Sequence, residues 1–596
     1  MSSALANYER ARAVLTGTVV LLSVSAGVAG FVTVFVVAST FAFAVIQRTR
    51  ELALLRLVGA TPRQVRRMIL AEALLLGTVA CVVGCLLSLA GAPALAATLV
   101  AGDIAPSWFQ VAVSPVPLLL SCLMGLGVAT LGVSAASRRA ATVRPTETLR
   151  ESAMDTPLSR GLRSPRTLFG LGFLAIAIMG MAVITVAMPG ISGVPVVYLW
   201  VLLMPIAAAA LLAPALIPPV IRLLTWPWAR GGSAVGLLVR ENALTMVRRT
   251  AATAIPILLT VGLSITLLGA LETIGQARSA ETAAQLRADH VLVPDGSTGI
   301  RPEALERARS VAGAQIAALT PVTVSAADEF GTVEELSGYA TAPAMLAATT
   351  DLPVVAGSLK NLGQDAIVVT EDWERRVGQR VEVTPAGGKP VRLKVAAVLR
   401  SGIGGADFYL DASHAGRSTP EVAYVKTSPG GAGPLREKTA GQGVQVLTRA
   451  EWVAVSRNSD QGTSVIGMMV TLGISVVYSC ISIVNTMVMA ASGRRRDLVM
   501  LRLAGATSRQ AVLSLLAESV LVVAVGTVLA VAASSLNFAG LLSALTQLEP
   551  AASLAIPWAP VGALTATSAL LAVAATTLTA RATLKTSAIG RAVAAE

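Results

Sequence analysis

Apolar residues in this chain gather in long unbroken runs. They lie at about 15–46, 68–98, 109–137, 167–188, 195–224, 251–275, 463–491, 511–534 and 557–581. Each reaches the ~20 residues that a helix needs to cross a hydrocarbon core. The pattern predicts nine spans, the longest of them tilted or projecting past the bilayer. The segment 276–460 breaks the pattern. There DAIVVT (365–370), RVEVT (380–384) and VRLKVA (391–396) alternate apolar and polar positions and read as strands. Thr370, followed by Glu371 and Asp372, reads as the cap of a short helix. Residues 302–311 read as helical, and Gly387-Gly388 as a turn.

Composition agrees. The chain is 54% hydrophobic and 14% charged, against roughly 25% charged in a soluble domain. Arginines fill the loops after the first and third spans, the stretch before the sixth, the loop after the seventh and the tail, whereas 99–108, 189–194 and 535–556 contain no Lys or Arg. This is the positive-inside distribution. It predicts an outside N-terminus, with Arg10 and Arg12 running against that placement, and a cytoplasmic C-terminus. Residues 276–460 then fall outside, with a mixed 19 basic and 21 acidic residues. The expected fold is an α-helical polytopic protein of the cell (plasma) membrane, with about nine transmembrane helices and one α+β extracytoplasmic domain. The formal charge of +13 is topological. It is scattered over membrane loops and not gathered on one face, so nucleic acid is not an expected partner, while membrane lipids are.

One short segment occurs twice. RELALLRLVGAT (50–61) and RDLVMLRLAGAT (496–507) agree at eight of twelve positions. In the first copy Glu51, Leu54, Leu55 and Val58 fall at helical spacing; the second offers Asp497, Met500, Leu501 and Ala504. Gly59 and Gly505 read as left-handed terminators. Thr61 with Gln64, and Thr507 with Gln510, read as capping boxes that open the next span; Pro62 adds a favoured first-turn proline. Each copy therefore predicts a span, a short amphipathic helix, a sharp turn and a newly capped span. A loop that only sets topology needs positive charge, but not this detailed match. Glu72 and Glu518 occupy equivalent places, about 16 Å past their caps at 1.5 Å per residue. They are candidate intramembrane polar groups, or interfacial carboxylates tying their helices to a neighbour.

The doubled pattern Arg-(Glu/Asp)-x-x-x-Leu-Arg-x-x-Gly-Ala-Thr-x-x-Gln, between two spans, resembles the FtsX-like (MacB-type) permease domain of ABC transporters. DLPVVAGSL (351–359) and DAIVVTEDWERRVGQRVEV (365–383) resemble that family's extracytoplasmic core. The resemblance implies that the short helices are coupling helices seated on a cytoplasmic ABC ATPase, two copies for two helices. Their contacts would be Arg50, Glu51, Leu54, Leu55, Arg56 and Gly59, with Arg496, Asp497, Met500, Leu501, Arg502 and Gly505. It further implies a permease subunit that exports or extracts an amphiphilic substrate. The alternative is a non-transporting mechanotransmission protein that regulates a cell-wall hydrolase or sensor kinase through an extracellular partner. The expected division is a head (1–14), a first permease unit (15–150), a linker with two spans (151–235), an amphipathic lead-in helix and span (236–275), the outside domain (276–460) and a second unit (461–596). The first unit departs from the family pattern by lacking a leading span and an outside domain.

Chemistry of its own is not expected. The sequence holds no phosphate-binding Gly-x-x-x-x-Gly-Lys-(Ser/Thr) loop and no Gly-x-Ser-x-Gly elbow. His290 and His414 are isolated. Cys81, Cys85, Cys122 and Cys480 all lie in spans and read as small buried apolar residues. No catalytic, metal or directly bound cofactor site is expected; ATP enters through the partner subunit.

Overall fold

The computed structural model describes residues 22–38, 48–101, 108–111, 114–142, 165–187, 195–230, 234–245, 247–295, 299–327, 333–385, 390–403, 405–416, 418–455, 507–548 and 552–593, with a few single residues between. The described part of helix α1, Leu22–Ala38, is apolar. Then come α2 (Thr49–Leu57), α3 (Pro62–Ala101), α4 (Pro115–Thr142), α5 (Pro165–Ala187), α6 (Pro195–Leu224), α7 (Ala234–Thr245) and α8 (Val247–Gln285). After the α+β domain follow α12 (Ser508–Leu548) and α13 (Trp558–Val593). Among the described residues, seven helices are long and apolar enough to cross a membrane: α3, α4, α5, α6, α8, α12 and α13. The chain is thus a multi-pass membrane protein. Of the nine predicted spans, the first is described in part, as α1, and the run at 463–491 lies outside the described residues except at single positions.

Helix α8 is the axis of the bundle. Its Ala254, Ile257, Leu258 and Val261 are buried among Ile206 and Ile217 of α6, and Val525, Leu529 and Ala530 of α12. Small residues permit the close approach. A Cβ on Gly526 would lie 3.0 Å from the Ala254 carbonyl oxygen, and one on Gly262 would lie 3.6 Å from Ala530 Cβ. Hydroxyls and an amide bridge the helices where backbone groups cannot. Thr266 Oγ1 and Ser534 Oγ are 3.0 Å apart, and Asn537 Nδ2 donates to the Leu202 carbonyl at 2.9 Å.

Helix α6 carries four internal prolines. Proline has no N–H, so Pro214 leaves the Ala210 carbonyl without its helical donor. Arg166, at the start of α5, fills the vacancy: its Nη2 donates to the Ala210 oxygen at 2.9 Å and its Nε to the Leu211 oxygen at 3.0 Å.

Helices α3 and α4 form a hairpin at the flank of the bundle. Cys85 and Cys122 meet there, Sγ atoms 3.5 Å apart. The cysteines are half-buried, not fully buried as expected, because most of α3 faces outward.

Among its described residues the α+β domain has ten strands: β1 (His290–Pro294), β2 (Gln315–Ala327), β3 (Val333–Thr341), β4 (Val354–Gly357), β5 (Ala366–Thr370), β6 (Arg380–Pro385), β7 (Val391–Leu399), β8 (Phe408–Asp411), β9 (Val422–Lys426) and β10 (Val444–Thr448). Helices α9 (Pro302–Arg309), α10 (Pro343–Thr349) and α11 (Ala432–Thr439) complete it. The sheet runs β10-β1-β9-β2-β3-β8-β5-β7-β4, with β6 bridging β2 and β7. β3 with β8 and β5 with β7 are the parallel pairs. Val324, Ile367, Val369, Val395 and Phe408 build one core and Leu292, Ile300, Leu305 and Leu435 another. The short helix expected after Thr370 is a single 3-10 turn, Glu371–Trp373, stopped by Glu374 in the left-handed conformation (φ 52°), and the Thr370 side chain makes no cap. Gly387-Gly388 lies outside the described residues.

Helix α8 runs through the expected boundary at 275/276 and enters this domain as a stalk. Asp351 N–H donates to the Gln285 oxygen (2.7 Å), Arg287 N–H to the Thr349 oxygen (2.8 Å), and Arg287 pairs with Asp351 at 2.7 Å.

Candidate functional site

Helix α2 is one short element with two faces. Leu52 is 5% exposed and packs on Val65, Ile69 and Ala73 of α3 and Val133 of α4. Leu54, Leu55, Leu57 and Val58 point away, at 54%, 42%, 54% and 88% exposure. Glu51 is exposed in the first turn and Arg56 half-buried in the last. Arg50 lies within the helix.

Backbone hydrogen bonds fix the end of α2. The Ala60 N–H donates to the Leu55 oxygen (3.0 Å) and the Gly59 N–H to the Arg56 oxygen (3.1 Å). This is a Schellman closure, with Gly59 at φ +108° as the left-handed residue that glycine tolerates. Two residues later the next helix opens. Thr61 N–H donates to Gln64 Oε1 (2.8 Å), and Gln64 N–H donates back to Thr61 Oγ1 (3.3 Å). The second copy has the same reciprocal bonds, Thr507 N–H to Gln510 Oε1 at 2.9 Å and Gln510 N–H to Thr507 Oγ1 at 3.2 Å. Arg496, Asp497, Met500, Leu501, Arg502 and Gly505 lie outside the described residues.

The two equivalent glutamates hold different partners. Glu72 pairs with Arg48, at the N-cap of α2, at 2.5 Å. Glu518 on α12 accepts from Asn242 Nδ2 on α7 at 3.1 Å. Each ties a spanning helix to a shorter one beside it.

Three participants escaped the sequence pattern. Leu52 is one of six apolar residues among 52–58, and a helix so uniformly apolar does not declare which leucine faces inward. Leu57 adds to the outward face. Arg48 was legible only as one of many loop arginines; its distance of 24 residues from Glu72 carries no periodic signal.

Residues 23–145 and 469–588 match the family described as FtsX-like permease C-terminal. Among solved structures, one match is the extracellular domain of the noncanonic ABC-type transporter YknZ from Gram-positive bacteria. It is 15% identical and covers 27% of this chain and 99% of that one, with a TM-score of 0.21. No curated protein matches.

Proposed function

We propose that this chain, which matches the FtsX-like permease C-terminal family over residues 23–145 and 469–588, is the permease subunit of an ABC transporter, working with a separate cytoplasmic ATPase that binds the nucleotide. The observation that carries this reading is the outward face of α2. Leu54, Leu55, Leu57 and Val58 are held in outward-facing, exposed positions by a buried Leu52, a closed C-terminus and a capped successor helix. A surface apolar cluster fixed this firmly fits a protein groove better than solvent. The positive-inside distribution of arginines supports a cytoplasmic α2 and an outside α+β domain. Two copies of the segment fit two ATPase subunits.

The described core of the bundle is packed with Ala, Gly, Val, Leu and Ile and holds no row of charges. This supports transmission of movement to the outside domain over passage of a hydrophilic solute. An amphiphilic substrate, extracted at the outer face, fits such a machine. Regulation of an extracellular hydrolase or a sensor kinase fits it too, and the two readings separate on whether a lipid or lipopeptide moves when ATP is hydrolysed.

The test is purification of the full chain from its native membrane, with ATP hydrolysis assayed in the eluate. The wild type carries an ATPase. A Leu54→Asp, Leu55→Asp variant loses it, while its thermal unfolding stays within a degree or two because both side chains already face out. An ATPase retained by the variant, or absent from the wild type, refutes the coupling role.

A further inference from the structure

The stalk is not the sole link between the bundle and the α+β domain. The loop from β7 to β8 dips back to the helices and delivers one side chain, Ile403. It is 4% exposed, clustered with Ile184 of α5, Leu202 of α6, Ile274 of α8, and Leu541 and Leu545 of α12. Two stalk residues hold its backbone. Glu281, 8% exposed, accepts the Ile403 N–H on Oε2 at 2.9 Å, and Arg278 Nε donates to the Ile403 oxygen at 3.1 Å. Gln285 Nε2 donates to the other carboxylate oxygen at 3.0 Å. Gly402 makes the grip possible, since a Cβ there would lie 2.1 Å from Glu281 Oε1. Nearby, the buried hydroxyls of Tyr198 and Ser401 have no hydrogen-bond partner.

We propose that Glu281 and Ile403 are positioning residues that transmit displacement of α5, α6 and α12 into the domain through β7 and β8. This rests on the permease reading above and adds the route. A domain attached to α8 alone would ride with it as one body. A second attachment, seated against α5, α6 and α12, forces the domain to turn whenever α8 shifts relative to them. The loop enters the sheet on both sides of β5, between β7 and β8, so movement at Ile403 reaches its interior.

The test needs no ATPase, so it fails independently of the coupling role. Backbone hydrogen exchange is measured on the full chain in lipid nanodiscs. Glu281→Ala raises exchange across 401–411 by roughly tenfold or more, the scale of losing a charge-assisted bond to a buried backbone donor. Glu281→Gln, which keeps the accepting oxygen, restores protection. Exchange in β1, β9 and β10 stays unchanged in both. A Leu545→Ala change on α12 then raises exchange at 408–411 in the wild-type chain, but adds nothing in the Glu281→Ala chain. Equal effects of Leu545→Ala with and without Glu281, no effect at 408–411, or failure of Glu281→Gln to restore protection each overturns the proposal.

Discussion

Gly59 and Thr61 show how much a single residue decides here. A side chain at φ +108° is strained wherever space allows it, and Gly59 has open space around it. Gly59→Ala therefore costs about 1–2 kcal/mol through the backbone alone. The cost appears as faster hydrogen exchange over 54–61, without loss of the α3–α4 hairpin. Thr61→Ala removes the cap and costs about 1 kcal/mol; Thr61→Ser keeps the oxygen and recovers most of it. A carboxylate does similar work in the domain. Glu451 accepts the Thr448 N–H (2.8 Å) and its hydroxyl (2.9 Å), and the backbone bond above all holds its pKa below the usual glutamate value. A lowered folded pKa stabilises at neutral pH. The gain is complete above the unfolded value of about 4.3 and is lost as pH falls through the folded one. The turn it caps carries Arg449, which donates to the stalk's Ala283 oxygen. Exchange at 448–455, corrected for intrinsic rate, should rise in acid, and Glu451→Gln should flatten that dependence.

At the scale of elements, α2 works because its two faces have different tasks. Leu52→Ala opens a cavity against Val65, Ile69 and Ala73 and should cost about 2–5 kcal/mol, read as earlier unfolding of the hairpin in a denaturant titration. Leu54→Ala should cost little, since its side chain is already about half exposed. The sequence announced α2 itself, its glycine stop and the threonine cap, because these depend on neighbours within four residues. It also announced β5, β6 and β7, although burial alternates only along β6 and the start of β7; β5 is buried at four consecutive positions and β7 at its last five. It did not announce that Leu52 turns inward, that Arg166 serves the proline-freed carbonyl of Ala210, or that Ile403 leaves the domain for the bundle. Those contacts join residues 44 or more positions apart, or select among identical side chains, and no local period encodes them.

At the scale of the whole molecule the two repeats are alike in sequence and unlike in setting. Val525, Leu529 and Ala530 of α12 are buried against α8. Their counterparts in the first repeat are Val79, Val83 and Gly84; the two valines are about half exposed, and nothing lies within 4 Å of a Cβ on Gly84. A leucine at 84 should leave stability in lipid unchanged. A leucine at 530 overpacks the contact with Gly262 and should cost about 1–3 kcal/mol, measured by unfolding in mixed micelles. Equal outcomes would mean that the two α3-type helices share one environment.

The continuity of α8 has a geometric consequence. At 1.5 Å per residue its 39 residues make a rod ~58 Å long, in a hydrocarbon core only ~30 Å thick. The apolar run 251–275 centres near residue 263, so the tip at Gln285 stands 22 residues, ~33 Å, beyond the middle of that run. Each degree of tilt about that point sweeps the tip through roughly 0.6 Å. A five-degree rocking, smaller than the ordinary spread of helix tilts, becomes a displacement of ~3 Å, more than half of one strand spacing, at the sheet. The unbroken helix is thus an angular amplifier, its gain set by the length of stalk beyond the lipid.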